Sequence, residues 1–267
     1  MSRSHNLYKL AKDCLLETSP AKKVSLTRQT VESWAQGELQ RSEFPIDEIP
    51  VPGRPAKPEL VAPRDLPRRS LQTPQGHAAL IHSICHIEFN AINLAWDAVY
   101  RFHSLPDAFY TDWMKVASEE AYHFDLLSRH LETLGYQYGD FPAHNGLWEA
   151  AVKTAHDPLV RMALVPRVLE ARGLDVTPGI VDKLRSANDL RAVEILDIIH
   201  RDEVGHVEIG SRWFKYLCEQ RGLAVESTFQ QLLEEYMQGQ IKGPLNRASR
   251  LKAGFSEAEL DYLEGVG

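Results

Sequence analysis

The sequence contains the pattern Glu-x-x-His twice, at Glu120–His123 and at Glu203–His206. A lone glutamate in an apolar helical pattern precedes each copy: Glu88 lies 32 residues before the first, and Glu170 lies 33 residues before the second. Helical residues three positions apart differ by about 60° around the axis, so each pair presents its carboxylate and imidazole to one side. Four carboxylates and two imidazoles are the ligand set of a two-metal centre in a four-helix bundle. The predicted metal ligands are Glu88, Glu120, His123, Glu170, Glu203 and His206.

Hard oxygen ligands with one imidazole per metal suit iron or manganese and also accept zinc. We therefore expect two iron ions, with manganese or a mixed iron and manganese pair as alternatives. The competing explanation is a set of buried salt bridges, because a buried carboxylate without a partner costs several kcal/mol. The arginines available for such pairing are Arg101, Arg161, Arg167 and Arg172.

Composition narrows the class of protein. The chain has 267 residues and a formal net charge of −7, which disfavours a nucleic-acid partner without excluding one. Its three cysteines, Cys14, Cys85 and Cys218, form no Cys-x-x-Cys pair, as is typical of a reducing cytoplasm. Neither a signal-peptide core nor an apolar run of membrane-spanning length occurs. We expect a cytoplasmic protein with no membrane partner.

The N-terminal part predicts two short helices, over about 6–18 and about 26–41. Prolines then recur through residues 44–74, where they remove backbone donors and disfavour helix. This segment also carries apolar residues, so we interpret it as an extended arm that wraps over the core. A disordered linker is the alternative on composition.

Apolar periodicity predicts long helices over about 76–103 and 107–134, the second ended by Gly135. The connection that follows, residues 135–156, is long enough for a crossover and holds a short helix at about 147–154.

The pair Asp157–Pro158 begins a third helix, which we expect Pro166 to kink and Gly173 to close. We expect Pro178 to begin the fourth helix, over about 178–221. Two C-terminal helices should follow, over about 226–239 and about 256–264, the latter capped by Ser256 with Glu259.

These elements predict an all-α fold: a four-helix bundle with a long crossover, preceded by N-terminal helices and an arm and followed by extra C-terminal helices. The predicted domains are residues 1–75 for the helices and arm packed on the core, 76–222 for the bundle, and 223–267 for the C-terminal extension.

With these ligands in place, the chain resembles the ferritin-like superfamily of di-iron carboxylate proteins over roughly 76–255. More closely, the stretches 170–178 and 200–206 are similar to a bacterial family of uncharacterised ferritin-like proteins of about this length. The resemblance is more distant to rubrerythrins and to a tRNA-modifying di-iron hydroxylase. It implies metal-centred chemistry without specifying one reaction. The lack of rubredoxin-type cysteine pairs argues against a self-contained electron path. The arm and extra helices argue against a ferritin cage.

The first functional hypothesis is an oxidoreductase that activates dioxygen or peroxide on a small-molecule substrate, organic or nucleoside-like, with a partner reductase. The second is a non-enzymatic protein that binds or buffers iron. The third is a helical interaction protein whose Glu and His core is a relic. The substrate, the oligomeric state (a dimer included) and the roles of His200 and residues 242–250 stay open.

Overall fold

The computed structural model of the chain describes residues 5–237 and 243–265. Within these ranges the secondary structure is predominantly helical, and the strands form a single parallel pair, β1 (His5–Asn6) with β2 (Leu39–Gln40). The all-α prediction is confirmed. None of the helices in the described ranges combines the length and the apolar character that crossing a membrane requires.

The chain divides into two compact units, residues 1–152 and 153–267. The predicted domain boundaries, after residues 75 and 222, do not coincide with this division and remain predictions. The helices of the first unit are α1 (Leu7–Leu16), α2 (Pro20–Ala35), α3 (Pro74–Arg101), α4 (Asp107–Thr133) and α5 (Gly146–Lys153). The two N-terminal helices of this unit pack on its two long helices: α1 on α3, and α2 on α4.

Helices α3 and α4 are antiparallel neighbours joined by residues 102–106. Near the middle of α3, the rings of Phe89 and Phe124 lie 5.3 Å apart, and the Cys85 thiol approaches the carbonyl of Phe124. Gly135 follows α4 with a φ of 81°, in agreement with the predicted stop. The second predicted helix, 26–41, was placed too late: it begins at Pro20, which occupies the first helical position after the extended Ser19.

The proline-rich segment is an ordered arm of the first unit. It is extended apart from a 3₁₀ turn at Pro63–Asp65. Backbone hydrogen bonds join Gly53 N–H to the Leu15 carbonyl at 2.9 Å and Val61 N–H to the Ala143 carbonyl at 2.8 Å. The Trp148 indole donates to the carbonyl of Pro50 at 3.0 Å. These contacts agree with an arm that packs on other parts of the first unit rather than with a disordered linker.

The second unit is built on one long helical segment and its antiparallel neighbour. Its elements are α6 (Pro158–Leu164), a π-helical turn (Val165–Glu170), α7 (Ala171–Ser186), α8 (Leu190–Gln220), α9 (Val225–Met237), α10 (Arg247–Lys252) and α11 (Glu257–Gly265). The first three run on without a break, and Arg221 after α8 pairs with Asp157 before α6 at 2.7 Å. The last two residues of the predicted helix 226–239 lie outside the described ranges. Residue 242, the first residue of the segment 242–250, also lies outside them.

The predicted break between the third and fourth helices was wrong. Gly173 does not close the helix, and Pro178 lies inside α7 rather than at the start of α8. Proline at 178 leaves the carbonyl of Leu174 without its helical donor, and the Asn246 side chain donates to that carbonyl instead, at 3.2 Å. The chain actually turns at Asn188, which has a φ of 59°.

Two predicted helix starts are confirmed by their caps. The Asp157 carboxylate accepts from Leu159 N–H at 2.8 Å at the start of α6. At α11, Glu259 N–H donates to the Ser256 hydroxyl at 3.1 Å, and Ser256 N–H donates to the Glu259 carboxylate at 2.9 Å. This reciprocal pair is the capping box that the sequence predicts.

Candidate metal centre

Three of the predicted ligands lie together in the first unit. Glu88 is on α3, and Glu120 and His123 are on the facing side of α4. The Nδ1 atom of His123 lies 3.1 Å from a carboxylate oxygen of Glu88 and 3.5 Å from one of Glu120. The three residues are 3 %, 1 % and 0 % exposed, in chain order. We call this set the first triad.

The spacing within the first triad suits a shared cation. Two ligand atoms that are each about 2.1 Å from one ion and at right angles to each other lie about 3.0 Å apart. The distances of 3.1 and 3.5 Å from His123 Nδ1 are close to that value. One imidazole with two carboxylates is also a donor set that iron, manganese and zinc accept.

Local structure explains why these residues meet. Every residue of α3 from Glu88 to Tyr100 is buried, so this helix is covered on all sides and Glu88 cannot turn its carboxylate toward solvent. The three-residue spacing on α4 brings Glu120 and His123 to one side of that helix. Antiparallel packing then brings that side against the middle of α3.

The second unit carries the other predicted ligands on the corresponding elements. On α8, the Nδ1 atom of His206 lies 3.7 Å from a carboxylate oxygen of Glu203, the same nitrogen that His123 uses. His206 is fully buried, and the Glu203 side chain is 12 % exposed. Glu170 is partly buried and is the last residue of the π-helical turn. Because Glu170, Glu203 and His206 repeat the sequence order of the first triad, we call them the second triad.

The family model described as "Protein of unknown function (DUF455)" matches residues 16–261 of the chain. The chain belongs to the DUF455 family. An uncharacterised protein of Haemophilus influenzae is 51 % identical over 237 residues, which cover 85 % of this chain and 82 % of that protein. No solved structure matches the chain.

In this DUF455 chain, two arginines considered as partners for buried carboxylates have strong contacts elsewhere. Arg101 forms an ion pair with Asp97 at 2.7 Å, one turn earlier on α3. Arg167 pairs with Glu259 at 2.7 Å inside the second unit. The salt-bridge explanation for the first and second triads therefore rests on Arg161 and Arg172.

His82 and His86 precede Glu88 on α3 but belong to a separate buried cluster. Gly139 N–H donates to His82 Nε2 at 2.9 Å, and His86 Nδ1 lies 2.9 Å from the Tyr138 hydroxyl. Burial lowers the pKa of each of these histidines to about 4 and raises that of Tyr138. Both rings are therefore neutral at pH 7.

Other residues near the motifs have structural contacts of their own. Asp125, two residues after His123 on α4, pairs with Arg129 at 3.0 Å and with Arg28 at 3.4 Å. His200 Nε2 lies 3.4 Å from the Ser249 hydroxyl of α10, and burial lowers its pKa.

A groove of about 710 Å³ lies between α2 and the end of α4 in the first unit. Its lining includes Arg28, Phe124, Asp125 and Tyr138, and none of the first triad. This groove therefore does not lead to those ligands.

Sequence reasoning missed the π-helical turn that ends at Glu170. It predicted a kink at Pro166, and the helix instead widens over Val165–Glu170. The available signal was a proline inside a helical pattern shortly before a proposed ligand, since π-helical turns are frequent at functional sites.

Proposed function

We propose that this protein binds two metal ions, most simply iron, through Glu88, Glu120, His123, Glu170, Glu203 and His206. The observation that carries the proposal is the first triad, in which two buried carboxylates flank one buried imidazole nitrogen at 3.1 and 3.5 Å. Neutralising buried carboxylates with cations avoids the cost of isolated buried charge. The repeated order of lone Glu and Glu-x-x-His supports extending the site to the second triad, with a ferritin-like four-helix bundle as the proposed arrangement of the ligand-bearing helices.

We infer an oxidoreductase function from this ligand set. Bound iron would supply activation of dioxygen or peroxide, with a small-molecule substrate as the species oxidised. The chain's own part is to hold carboxylates and imidazoles in position and to keep bulk water from the first triad, whose members are at most 3 % exposed. All three cysteines are buried and free, so electrons would come from a partner reductase or from the substrate. A cytoplasmic location remains a prediction.

Metal binding without catalysis is the second candidate. The observation that favours it is the burial of the first triad, whose members are at most 3 % exposed. A catalyst needs an open path from substrate to metal, whereas a metal buffer needs only an exit for the ion.

Turnover of dioxygen and peroxide by metal-loaded protein separates the two functions. An oxidoreductase consumes more oxidant than its bound metal when a reductant and the right substrate are supplied, and a buffer stops at the metal stoichiometry. Glu203→Gln should abolish consumption. Glu208→Gln, five residues later on α8 and paired with Arg212 at 3.4 Å on the surface, should leave it unchanged. Peroxide dismutation without reductant would favour a manganese centre of catalase type.

No reaction with either oxidant by fully loaded protein would leave metal buffering as the better description. Equal loss of consumption in Glu203→Gln and Glu208→Gln would mean that the effect is not specific to the second triad.

A further inference from the structure

Glu170 owes its direction to the π-helical turn, because such a turn inserts one extra residue into the helix. One residue corresponds to about 100° of rotation around the helix axis. If Val165–Glu170 relaxed to regular α-helix, the Glu170 side chain would face a different side of the helix. Whatever holds this turn therefore controls where the Glu170 carboxylate points.

The first contact that holds the turn is with α8. A Cβ atom built on Gly210 would lie 2.4 Å from both Cβ and Cγ of Pro166. Real Cβ atoms do not approach other atoms so closely, and the proline ring is rigid. The helix can therefore lie against the turn at this point only because residue 210 has no side chain.

The second contact holds Arg167, the next residue of the turn. Its guanidinium is completely buried and donates to the Glu259 carboxylate at 2.7 Å and to the Ser211 hydroxyl at 3.2 Å. Three aromatic rings surround it, with centroids 4.1 to 4.8 Å from the guanidinium carbon: Phe214, Phe229 and Phe255. A buried guanidinium of this kind is fixed in place by its ion pair and by the faces of the rings.

The partners of Arg167 come largely from the C-terminal helices. Phe229 is on α9, Phe255 precedes α11, and Glu259 is in the first turn of α11. The other oxygen of Glu259 accepts from Ser256 N–H at 2.9 Å, so the carboxylate is held from both sides. The first turn of α11 is thus fixed to the π-helical turn that carries Glu170.

We propose that Gly210 and Glu259 are positioning residues for Glu170. The C-terminal helices brace the π-helical turn through the caged Arg167, and α8 braces it through Pro166. This inference rests on the proposed function in one respect, the assignment of Glu170 as a metal ligand. The brace itself is a property of the metal-free chain and can be measured separately.

The test uses two variants of the full-length protein, each with a matched control. Gly210→Ala introduces a steric clash between the new Cβ atom and the ring of Pro166. Its control is Gly179→Ala on α7, where an added Cβ meets nothing within 4 Å. Glu259→Gln removes the charge that faces Arg167. Its control is Glu257→Gln on the exposed side of α11, where the carboxylate pairs with Arg247.

Hydrogen exchange of the metal-free proteins reports on the brace. We expect peptides that cover the π-helical turn to exchange about tenfold faster in Gly210→Ala and Glu259→Gln than in wild type. Both controls should exchange as wild type does. Cobalt(II) titration, followed by its visible absorption, should then show affinity about 10- to 100-fold weaker in the two variants, with an altered spectrum at saturation.

Each outcome has a definite meaning. Wild-type exchange rates in both variants would overturn the brace. Faster exchange with unchanged cobalt affinity and spectrum would overturn the positioning of Glu170. If Glu259→Gln does not fold, Gly210→Ala still decides, since it leaves the Arg167 cage intact. If wild type binds no cobalt, the proposed function fails, and the exchange rates alone determine whether the brace exists.

Discussion

Replacing Glu120 with glutamine should remove most of the stabilisation that metal gives to the fold. Glu120 is 1 % exposed and its carboxylate oxygen lies 3.5 Å from His123 Nδ1, so solvent cannot take over its role. Glutamine keeps the shape of the side chain and removes its charge. The substitution removes one of the two carboxylates that flank His123 and adds no buried charge. The melting temperature of the metal-free variant should therefore be close to that of metal-free wild type.

The size of the effect follows from linkage. Free metal at a thousandfold above its dissociation constant stabilises the native state by about 4.1 kcal/mol. If losing the Glu120 ligand weakens binding about 100-fold, the same metal concentration stabilises by only about 1.4 kcal/mol. For cooperative unfolding of the whole chain these values correspond to melting shifts of about 7 °C and about 2.5 °C.

The assay is thermal unfolding with and without metal at one fixed free concentration, with excess chelator as the metal-free state. Glu119→Gln is the matched control, since Glu119 is the adjacent residue on α4 and pairs with Lys115 at 2.6 Å. It should keep the full metal-dependent shift. The reasoning is refuted if Glu120→Gln retains the wild-type shift, or if Glu119→Gln loses it equally.

Three further predictions concern the fold. Burial lowers the pKa of His82 and His86 to about 4 from about 6.5, so the unfolded chain binds protons that the folded chain does not as pH falls between these values. The free energy of unfolding of metal-free protein should fall by about 2 kcal/mol per histidine between pH 7 and 5. Urea titrations should show a smaller fall in His82→Gln than in wild type. An equal fall in the two proteins would contradict the lowered pKa of His82. Ser256→Ala should cost about 1 kcal/mol in urea unfolding through loss of the α11 cap, and no change would mean that the cap does not stabilise. Asn246→Ala should speed hydrogen exchange around residue 178, where its side chain replaces the missing helical donor, and unchanged exchange there would refute that role.

The first triad was predictable because its geometry is local to two helices. The spacing of Glu120 and His123 places both on one side of α4, and the short connection after α3 makes the two helices antiparallel. Strong terminators bound these helices, with Pro106 before α4 and Gly135 after it. The apolar periodicity and the helix-terminating residues therefore predict the same helices, and the contact of His123 with Glu88 follows from their packing.

The second unit was harder to predict because distant residues change the meaning of local signals. Pro178 would normally begin a helix, yet Asn246 supplies the donor that lets α7 continue through it. Arg167 entered the sequence argument only as a candidate salt-bridge partner. Its aromatic cage assembles from residues 214, 229 and 255, which share no local pattern, so only the folded chain shows what it does.

Metal analysis of anaerobically purified protein tests the central claim most directly. The ligand set predicts about two ions per chain, and bridging carboxylates predict magnetic coupling between two irons in Mössbauer or electron paramagnetic resonance spectra. His206→Ala should lower the stoichiometry, because His206 is a fully buried member of the second triad. Protein that is folded but holds no stoichiometric metal after iron, manganese or zinc is supplied, or that holds the same amount in His206→Ala, would contradict the assignment of a two-metal carboxylate centre.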